Sequence, residues 1–491
     1  MNWNDLLSKE RLGDPIEIPY GDNKYKMSEF EKDYWRIIDC PAFRRLQDKT
    51  QVFPLDRGDF VRTRLTHSLE VASLAKQLVT MIYRNIKDSN SAAFREIKEA
   101  YPFTAENAQC AADIAACAGL LHDIGNPPFG HFGEDVVHAW FENNLDKLTY
   151  IDQSGKVISL KQKELIADLK HFEGNAQAFR LLTKLHSVDS EYGLNLTIAV
   201  LNTLVKYPTD SQHIDADAEN VCLHKLGYYE ADKELFSKVA ELTGTYFDNT
   251  HHRHPLTFIL EAADDIAYAT ADLEDSYKKG LFTIDDFVAF YQKRLSEITD
   301  TSQYKYSKEL IDMLEKYRAP DGERVPSSEL QAMQRWINYS RHWLLYCAAY
   351  GFKHNYRDIM EGNFYSEIIS DTFHEGTVSI LKDTMCRFTF CSSEIVKLEL
   401  SAEEIIENLL KRFVPAAINW DVSSKDRDTK LKSDKKLMSL VSENHKAAYH
   451  SYKKSNNDEY NLYLRLLLIA DFVSGMTDTY AKTLYQELNG I

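Results

Sequence analysis

The stretch Ala118-Gly-Leu-Leu-His-Asp-Ile-Gly-Asn-Pro-Pro-Phe-Gly-His-Phe-Gly-Glu134 contains the residues that decide the fold and the chemistry of this chain. Its apolar beginning predicts the end of a buried helix, and the glycines and prolines that follow predict a break. His122 and Asp123 lie at this break, and His131 and Glu134 come soon after it. Imidazole and carboxylate groups beside an open loop are the combination that metal-dependent hydrolases need.

Four side chains are candidate ligands of one metal ion: His67, His122, Asp123 and Asp264. Each has an ordinary alternative when taken alone. His67 could be a core histidine, Asp123 a helix C-cap partner, and Asp264 a solvated or ion-paired residue. Taken jointly they favour a metal, because both carboxylates lie in apolar helical segments where an unpaired buried charge costs several kcal/mol. We expect one divalent ion per subunit, manganese or magnesium first, with iron, cobalt and nickel as alternatives, while the absence of cysteine among the candidate ligands argues against a structural zinc.

Composition restricts the class of protein. The chain has 491 residues, 44% of them hydrophobic, and a formal net charge of -17. It contains no apolar run of about 18 residues, which a membrane helix would need. The seven cysteines form no CxxC motif, so we expect reduced thiols and a cytoplasmic protein. The acidic balance argues against a dedicated nucleic-acid binder.

Helical periodicity dominates, so we predict an all-α fold with minor β-hairpin content. The linear organisation that we predict is an N-terminal arm (1–34), a catalytic core (35–300) and a helical C-terminal region packed on the core (301–491). A hairpin-like turn is expected at 150–160, and the last helix at about 460–488. Polar composition predicts loops at 207–220, 300–327 and 423–436. The histidine-rich tract 251–254 is predicted to be an exposed loop rather than a metal site.

The sequence resembles a known family. The H…HD…D pattern of the four candidate ligands resembles the signature of the HD-domain phosphohydrolases. An ordered set of further blocks is similar to the bacterial deoxyguanosine triphosphate triphosphohydrolases within that superfamily. The blocks are 41–53, 62–70, 122–134, 171–177, 194–197 with 204–208, 264–272 and 475–478.

The resemblance implies an all-α HD core and hydrolysis of a deoxynucleoside triphosphate, preferably dGTP, at the α-phosphorus. The products would be a deoxynucleoside and inorganic triphosphate, which would make the protein a regulator of dNTP pools. The family pattern makes His131 the proton-transfer residue and Glu134 its partner. The alternatives are a surface histidine near the helix N-cap for His131 and a first-turn dipole partner for Glu134.

Substrate-binding roles also follow from the resemblance. The residues expected near the phosphates are Arg64, His171, Asn175, Lys206 and Tyr207. Alternatives remain for Asn175 as a helix N-cap and for Lys206 as a helix C-terminal cation. Tyr268 is expected at the C2′ edge of the sugar, where a ribose hydroxyl would clash, or else in the core. We expect Asp272 and Gln51 to bind the 3′-hydroxyl and Val52 to approach the base.

Two other functions remain alternatives. One is an HD-domain phosphodiesterase or nucleotidase, and the other is a non-catalytic dNTP-sensing protein. The resemblance also implies a homo-oligomer, dimeric or hexameric, with a dNTP or single-stranded DNA as an effector and no membrane association. A DNA effector would need a local basic surface, for which 430–436 is the candidate segment.

Overall fold

The computed structural model describes residues 1–14, 27–55, 58, 60–152, 154–186, 192–318, 326–370, 372–422 and 431–491. Over these residues the chain is mainly α-helical with two small antiparallel strand pairs, which confirms the predicted fold class. None of the seven cysteines, all of which lie in described residues, forms a disulfide bond. Among the helices of the described ranges, none combines the length and apolar character that crossing a bilayer requires.

Helices make up most of the secondary structure of the described residues. In chain order, the α-helices are α1 (Trp3–Leu6), α2 (Glu29–Asp39), α3 (Pro41–Arg45), α4 (Arg64–Asp88), α5 (Ala92–Ala100), α6 (Ala105–Leu121), α7 (Gly130–Asn144), α8 (Lys163–Lys170), α9 (Gly174–Arg180), α10 (Ile198–Leu204), α11 (Lys233–Leu242), α12 (Pro255–Ala267), α13 (Leu273–Lys278), α14 (Ile284–Leu295), α15 (Thr301–Arg318), α16 (Pro326–His354), α17 (Tyr356–Glu361), α18 (Glu375–Met385), α19 (Ser393–Ile418), α20 (Leu431–Leu440), α21 (Glu443–Tyr452), α22 (Asp458–Ser474) and α23 (Asp478–Asn489). The π-helical turns are Leu181–Leu185, Tyr268–Asp272 and Cys386–Phe390. The strands are β1 (Tyr150–Ile151), β2 (Val157–Ile158), β3 (Tyr246–Phe247) and β4 (Thr250–His251).

The chain divides into two compact units, each assembled from separate segments. The first unit contains Met1–Leu7, Gln51–Leu120 and His254–Leu398. The second contains Ser8–Thr50, Leu121–Arg253 and Glu399–Ile491. The linear division into 1–34, 35–300 and 301–491 stays a prediction.

In the first unit, helix α4 is defined by its N-terminal cap and its apolar face. The Thr63 hydroxyl accepts a hydrogen bond from the Thr66 amide at 3.4 Å, and the Thr66 hydroxyl accepts one from the Thr63 amide at 3.0 Å. This reciprocal cap satisfies two amides that a helix start leaves without partners. Val71 and Leu78 are fully buried along the inner face. His67 lies on the same buried side, one turn after the cap.

Helix α12 begins at Pro255 and continues without a break into the π turn Tyr268–Asp272 and then α13. The π turn changes the direction of its side chains. Eight α-helical steps of about 100° overshoot two full turns by about 80°. A π turn is wider, so each of its residues advances by less, and this reduces the angular offset between Asp264 and Asp272. The simple spacing of four and eight residues used for the sequence prediction therefore does not apply beyond Tyr268.

In the second unit, a buried ionic network lies at the centre of the packing. The Arg180 guanidinium donates from Nε to Asp471 Oδ1 at 2.8 Å and from Nη2 to Asp471 Oδ2 at 3.0 Å. Asp232 lies 3.4 Å from Arg180 and 3.0 Å from the Lys184 ammonium. All four side chains are buried, so their charges depend on each other for compensation.

Two predicted elements are confirmed: the hairpin β1–β2 and the absence of helix and strand from 207–220. The loop predicted at 300–327 is wrong for 301–318, which form α15 and bury Leu310, Ile311 and Leu314, while 319–325 lie outside the described residues. The loop predicted at 423–436 is wrong for 431–436, which belong to α20, while 423–430 lie outside the described residues. The last predicted helix is two helices, α22 and α23, and the Thr477 side chain caps the second.

Candidate functional site

The first unit brings two candidate metal ligands together. His67 Nε2 lies 3.0 Å from Asp264 Oδ1, which joins the start of α4 to α12. His67 is buried, whereas the Asp264 side chain keeps 31% of its surface exposed. Both residues belong to a group of histidine and aspartate side chains whose ligand atoms are close enough to hold a metal ion. Imidazole nitrogen and carboxylate oxygen are donors that Mn²⁺ and related divalent ions accept, so the residues fit such an ion.

The predicted sugar-binding residues are also in the first unit. Tyr268 and Asp272 occupy the two ends of the π turn, and both feel the charge of Asp264. Burial, followed by the charge of Asp272, raises the pKa of the Tyr268 hydroxyl. Burial also raises the pKa of Asp272 well above its usual range, and the neighbouring Asp275 adds to this effect. A buried carboxyl of this kind needs a hydrogen-bonding partner.

Two of these groups have buried polar atoms without such a partner. Both carboxyl oxygens of Asp272 and the amide oxygen of Gln51 make no hydrogen bond within the described part of the chain. Val52 follows Gln51 and is half-buried. The buried Arg64 side chain is close enough to Asp272 for its positive charge to act on that carboxyl. These side chains could therefore receive a polar ligand.

The second unit contains the other two candidate ligands. His122 and Asp123 directly follow the last residue of α6, with His122 Nε2 3.5 Å from Asp123 Oδ2. Asp123 Oδ1 accepts a hydrogen bond from Asn126 Nδ2 at 2.6 Å. The buried Lys49 ammonium donates to the Asn126 carbonyl at 2.5 Å and to that of Ser474 at 2.7 Å. Lys49 and Asn126 thus brace the loop, a role that the sequence did not reveal.

The same unit places the candidate proton-transfer pair in the first turn of α7. His131 Nδ1 lies 3.4 Å from Glu134 Oε2, and the two side chains are 76% and 8% exposed. Phe129, with φ of 65°, begins the helix in the left-handed region. Its amide donates to Asp478 Oδ1 at 2.8 Å, which holds this strained residue in place. The arrangement presents an accessible imidazole with a buried carboxyl beside its Nδ1.

A second buried carboxyl, that of Glu173, lies beside Glu134. The two side chains share a hydrogen bond, and Lys225 Nζ lies 3.1 Å from Glu173 Oε2. The Gly174 amide donates to Glu134 Oε1 at 3.3 Å. Glu173 and Lys225 were not predicted as functional. The available signal was that Glu173 belongs to the block 171–177.

The residues predicted at the phosphate end, Arg64 apart, are in the second unit. His171 is half-buried and its ring centre lies 5.8 Å from that of His138. Asn175 lies inside α9 and donates from Nδ2 to Glu173 Oε1 at 2.8 Å, while Glu173 occupies the N-cap position that was the alternative for Asn175. Lys206 Nζ and the Arg253 guanidinium are each 5.8 Å from the centre of the Tyr207 ring. Lys206 and Arg253 thus place positive charge beside Tyr207 in a protein whose net charge is negative.

The prediction that 251–254 is an exposed loop is wrong. His254 is fully buried, accepts a hydrogen bond from the Leu256 amide at 3.1 Å and lies 3.0 Å from the Leu6 carbonyl. Burial lowers its pKa to about 4, so it is a neutral cap of α12. His251 and His252 are half-buried, and the His252 ring stacks on Phe247 with 3.9 Å between ring centres.

Comparisons with known proteins agree with these features. Residues 64–190 match the model of the HD domain. A deoxyguanosinetriphosphate triphosphohydrolase-like protein of Listeria monocytogenes is 40% identical over 100% of both chains. A protein of the same description from Synechocystis is 33% identical over 100% of both chains. The deoxyguanosinetriphosphate triphosphohydrolase of Yersinia enterocolitica is 30% identical, covering 96% of this chain and 97% of its own.

Proposed function

The chain belongs to the deoxyguanosinetriphosphate triphosphohydrolase family of HD-domain hydrolases, and we propose that it hydrolyses deoxynucleoside triphosphates, dGTP preferentially, at the α-phosphorus. The products are a deoxynucleoside and inorganic triphosphate, and the reaction limits dNTP pools. The observation that carries this proposal is the pair of His131 and Glu134 at the start of α7, nine and twelve residues after His122. A nucleotide sensor would not need an accessible imidazole fixed by a buried carboxylate.

We propose that one divalent ion is held by His67, His122, Asp123 and Asp264. The proposal is supported by the HD signature, by the 3.0 Å contact of His67 with Asp264 and by the loop position of His122 and Asp123. When bound, the ion would polarise a phosphoryl oxygen and lower the pKa of water. Manganese and magnesium are our first candidates, and iron, cobalt and nickel follow.

The protein side chains would divide the remaining work. His131 performs the proton transfer of the hydrolysis at its exposed ring nitrogen, while Glu134 holds the other nitrogen and so selects the tautomer. The residues that compensate and orient the triphosphate are Arg64, His171, Asn175, Lys206 and Tyr207. Tyr268 excludes a 2′-hydroxyl, Asp272 and Gln51 bind the 3′-hydroxyl, and Val52 approaches the base. We further propose a cytoplasmic homo-oligomer, dimeric or hexameric, and leave a dNTP or single-stranded DNA effector as a prediction.

Product analysis tests the proposed reaction. The purified chain is incubated with Mn²⁺ or Mg²⁺ and each dNTP in turn, and the products are separated by ion-exchange chromatography. Deoxynucleoside with triphosphate is the expected result, fastest with dGTP. Release of pyrophosphate or of single phosphates would refute the reaction, and tight dNTP binding without turnover would favour the sensor.

Two further measurements test the site. His131→Ala should reduce kcat by about 100-fold or more with little change in nucleotide affinity, because a general acid or base contributes roughly this factor. Chelation should abolish turnover, and Mn²⁺ should restore it and raise the melting temperature. His213→Ala, which changes an exposed histidine of the same unit outside the motif, is the matched control.

A further inference from the structure

We propose that Glu173 is a positioning residue that holds Glu134 against His131 by donating a hydrogen bond to it. This inference rests on the proposed function, because it assigns Glu173 a role in the proton transfer performed by His131. It adds a third member to the pair recognised from the sequence, and it explains the contacts of a buried carboxyl that the reaction itself does not use.

The geometry fixes both ends of the Glu173 side chain. Its Oε1 accepts a hydrogen bond from Asn175 Nδ2 at 2.8 Å, and its Oε2 lies 3.1 Å from Lys225 Nζ. Only 8% of the side chain is exposed. The Gly174 amide, next in the chain, donates to Glu134 Oε1 at 3.3 Å, which brings the equally buried Glu134 carboxyl beside that of Glu173, within hydrogen-bonding reach. Since Glu173 is the N-cap residue of α9, its backbone is fixed by that helix.

Two carboxyl groups in contact and out of water cannot both be ionised without a large electrostatic penalty. Burial raises the pKa of Glu173, and the charge of Glu134 raises it further. Burial acts on Glu134 in the same direction, but hydrogen bonds from His131 and Glu173 outweigh it and lower the pKa. The two carboxyls therefore hold one proton between them, and it lies on Glu173. The protonated Glu173 donates a hydrogen bond to the ionised Glu134.

In the part of the chain that the structure describes, four further titratable groups act on this pair or on its contacts. Lys225 opposes the rise of the Glu173 pKa, and Asp135 lies close enough to Glu134 to be affected by its charge. Tyr207 acts on Lys225, and the Tyr229 side chain lies near the backbone of Glu173. Among the described groups, His131 and Lys225 are the basic side chains that face the two carboxyls.

Turnover should therefore depend on pH through the protonation state of Glu173. Below its raised pKa, Glu173 is protonated and directs Glu134 Oε2 toward His131 Nδ1. As the pH rises through that pKa, the proton is lost and two anions repel each other in the same buried space. Glu134 then loses its orientation, and kcat should fall on the alkaline side.

The test compares Glu173→Gln and Glu173→Ala with the wild-type chain. Each is assayed for triphosphate release from dGTP between pH 6 and pH 10. The amide of Gln donates to Glu134 at every pH, so Glu173→Gln should keep kcat within about threefold at neutral pH and lose the alkaline decline. Glu173→Ala should lower kcat by about 10- to 100-fold with KM changed less than threefold, because a poorly oriented His131 supplies only part of the rate enhancement of a general acid or base.

Asp168→Asn is the matched control, because burial raises the pKa of Asp168 to about 7 in the same unit while its hydrogen-bond partners include Tyr463 and the Glu230 amide. It should leave the kcat profile unchanged. An alkaline decline that persists in Glu173→Gln overturns the inference, as does an equal loss of kcat in the Gln and Ala variants. If Glu173→Ala does not fold, the profile of Glu173→Gln decides alone. A wild-type chain that releases no triphosphate refutes the proposed function instead.

Discussion

Replacing Asp272 by Ala should remove the ability of the protein to distinguish dGTP from 2′,3′-dideoxyGTP. Both carboxyl oxygens of Asp272 are buried and make no hydrogen bond within the described residues. A substrate 3′-hydroxyl would supply the missing partner, and a substrate without that hydroxyl would leave the carboxyl unsatisfied. A site of this kind rejects the analogue strongly, because the unmade hydrogen bond carries the full desolvation cost.

The size of the effect follows from that cost. A buried polar group without a partner costs about 1–3 kcal/mol. At about 1.4 kcal/mol per factor of ten, the wild-type chain should favour dGTP over the dideoxy analogue by about 5- to 150-fold in kcat/KM. Asp272→Ala removes the unsatisfied carboxyl for both substrates. The ratio should therefore fall to about one to three, mostly through loss of activity on dGTP.

The assay measures initial rates of triphosphate release with both nucleotides for the two proteins. Asp383→Asn, which removes an ion pair with Arg294 at the surface, is the control and should keep the wild-type ratio. A ratio in Asp272→Ala within twofold of the wild-type ratio would refute the reasoning. The 3′-hydroxyl would then be bound elsewhere, and the unsatisfied carboxyl would need another explanation.

Three predictions concern stability in the second unit and can be measured by urea unfolding. Gly125→Ala should lower the free energy of unfolding by about 2–3 kcal/mol, because a Cβ at this position would overlap the carbonyl oxygen of Gly174. Arg180→Met should cost about 3–5 kcal/mol by leaving Asp471 as an uncompensated buried charge, and adding Asp471→Asn should recover part of the loss. Burial raises the pKa of Asp168 to about 7, above its value in the unfolded chain. The stabilisation that the protonated carboxyl contributes to the free energy of unfolding is therefore fully present below about pH 4 and is lost as the pH rises through 7. Asp168→Asn should flatten this decline, and an unchanged slope would contradict the assignment.

The parts of the site that could be predicted from the sequence depend on local spacing. The start of α7 was predictable because His131 and Glu134 are three residues apart after a Gly/Pro break. The helices α4 and α12 were predictable because apolar residues recur at helical spacing around His67 and Asp264. Such signals require only that neighbouring residues share one helix face.

The remaining features depend on contacts between distant residues, which a single sequence does not encode in its periodicity. Lys49 reaches the Asn126 carbonyl across 77 positions, and the Gly174 amide reaches Glu134 across 40. The prediction for His254 was wrong because a histidine next to polar residues predicts exposure. In the protein both ring nitrogens have partners, so burial costs little.

The π turn at Tyr268–Asp272 has a consequence for how this protein can change over evolutionary time. A π turn contains one residue more than the α-helical path it replaces. Deleting one residue between Ala269 and Ala271 would restore an unbroken α-helix in which Asp272 lies seven steps, about 700°, after Asp264, within about 20° of two full turns. Asp272 would therefore stay on the helix face of Asp264, so the π turn lets the chain differ by one residue here without moving the proposed sugar-binding residue to another face. Relatives that are one residue shorter at this point are therefore expected to keep the same sugar selectivity.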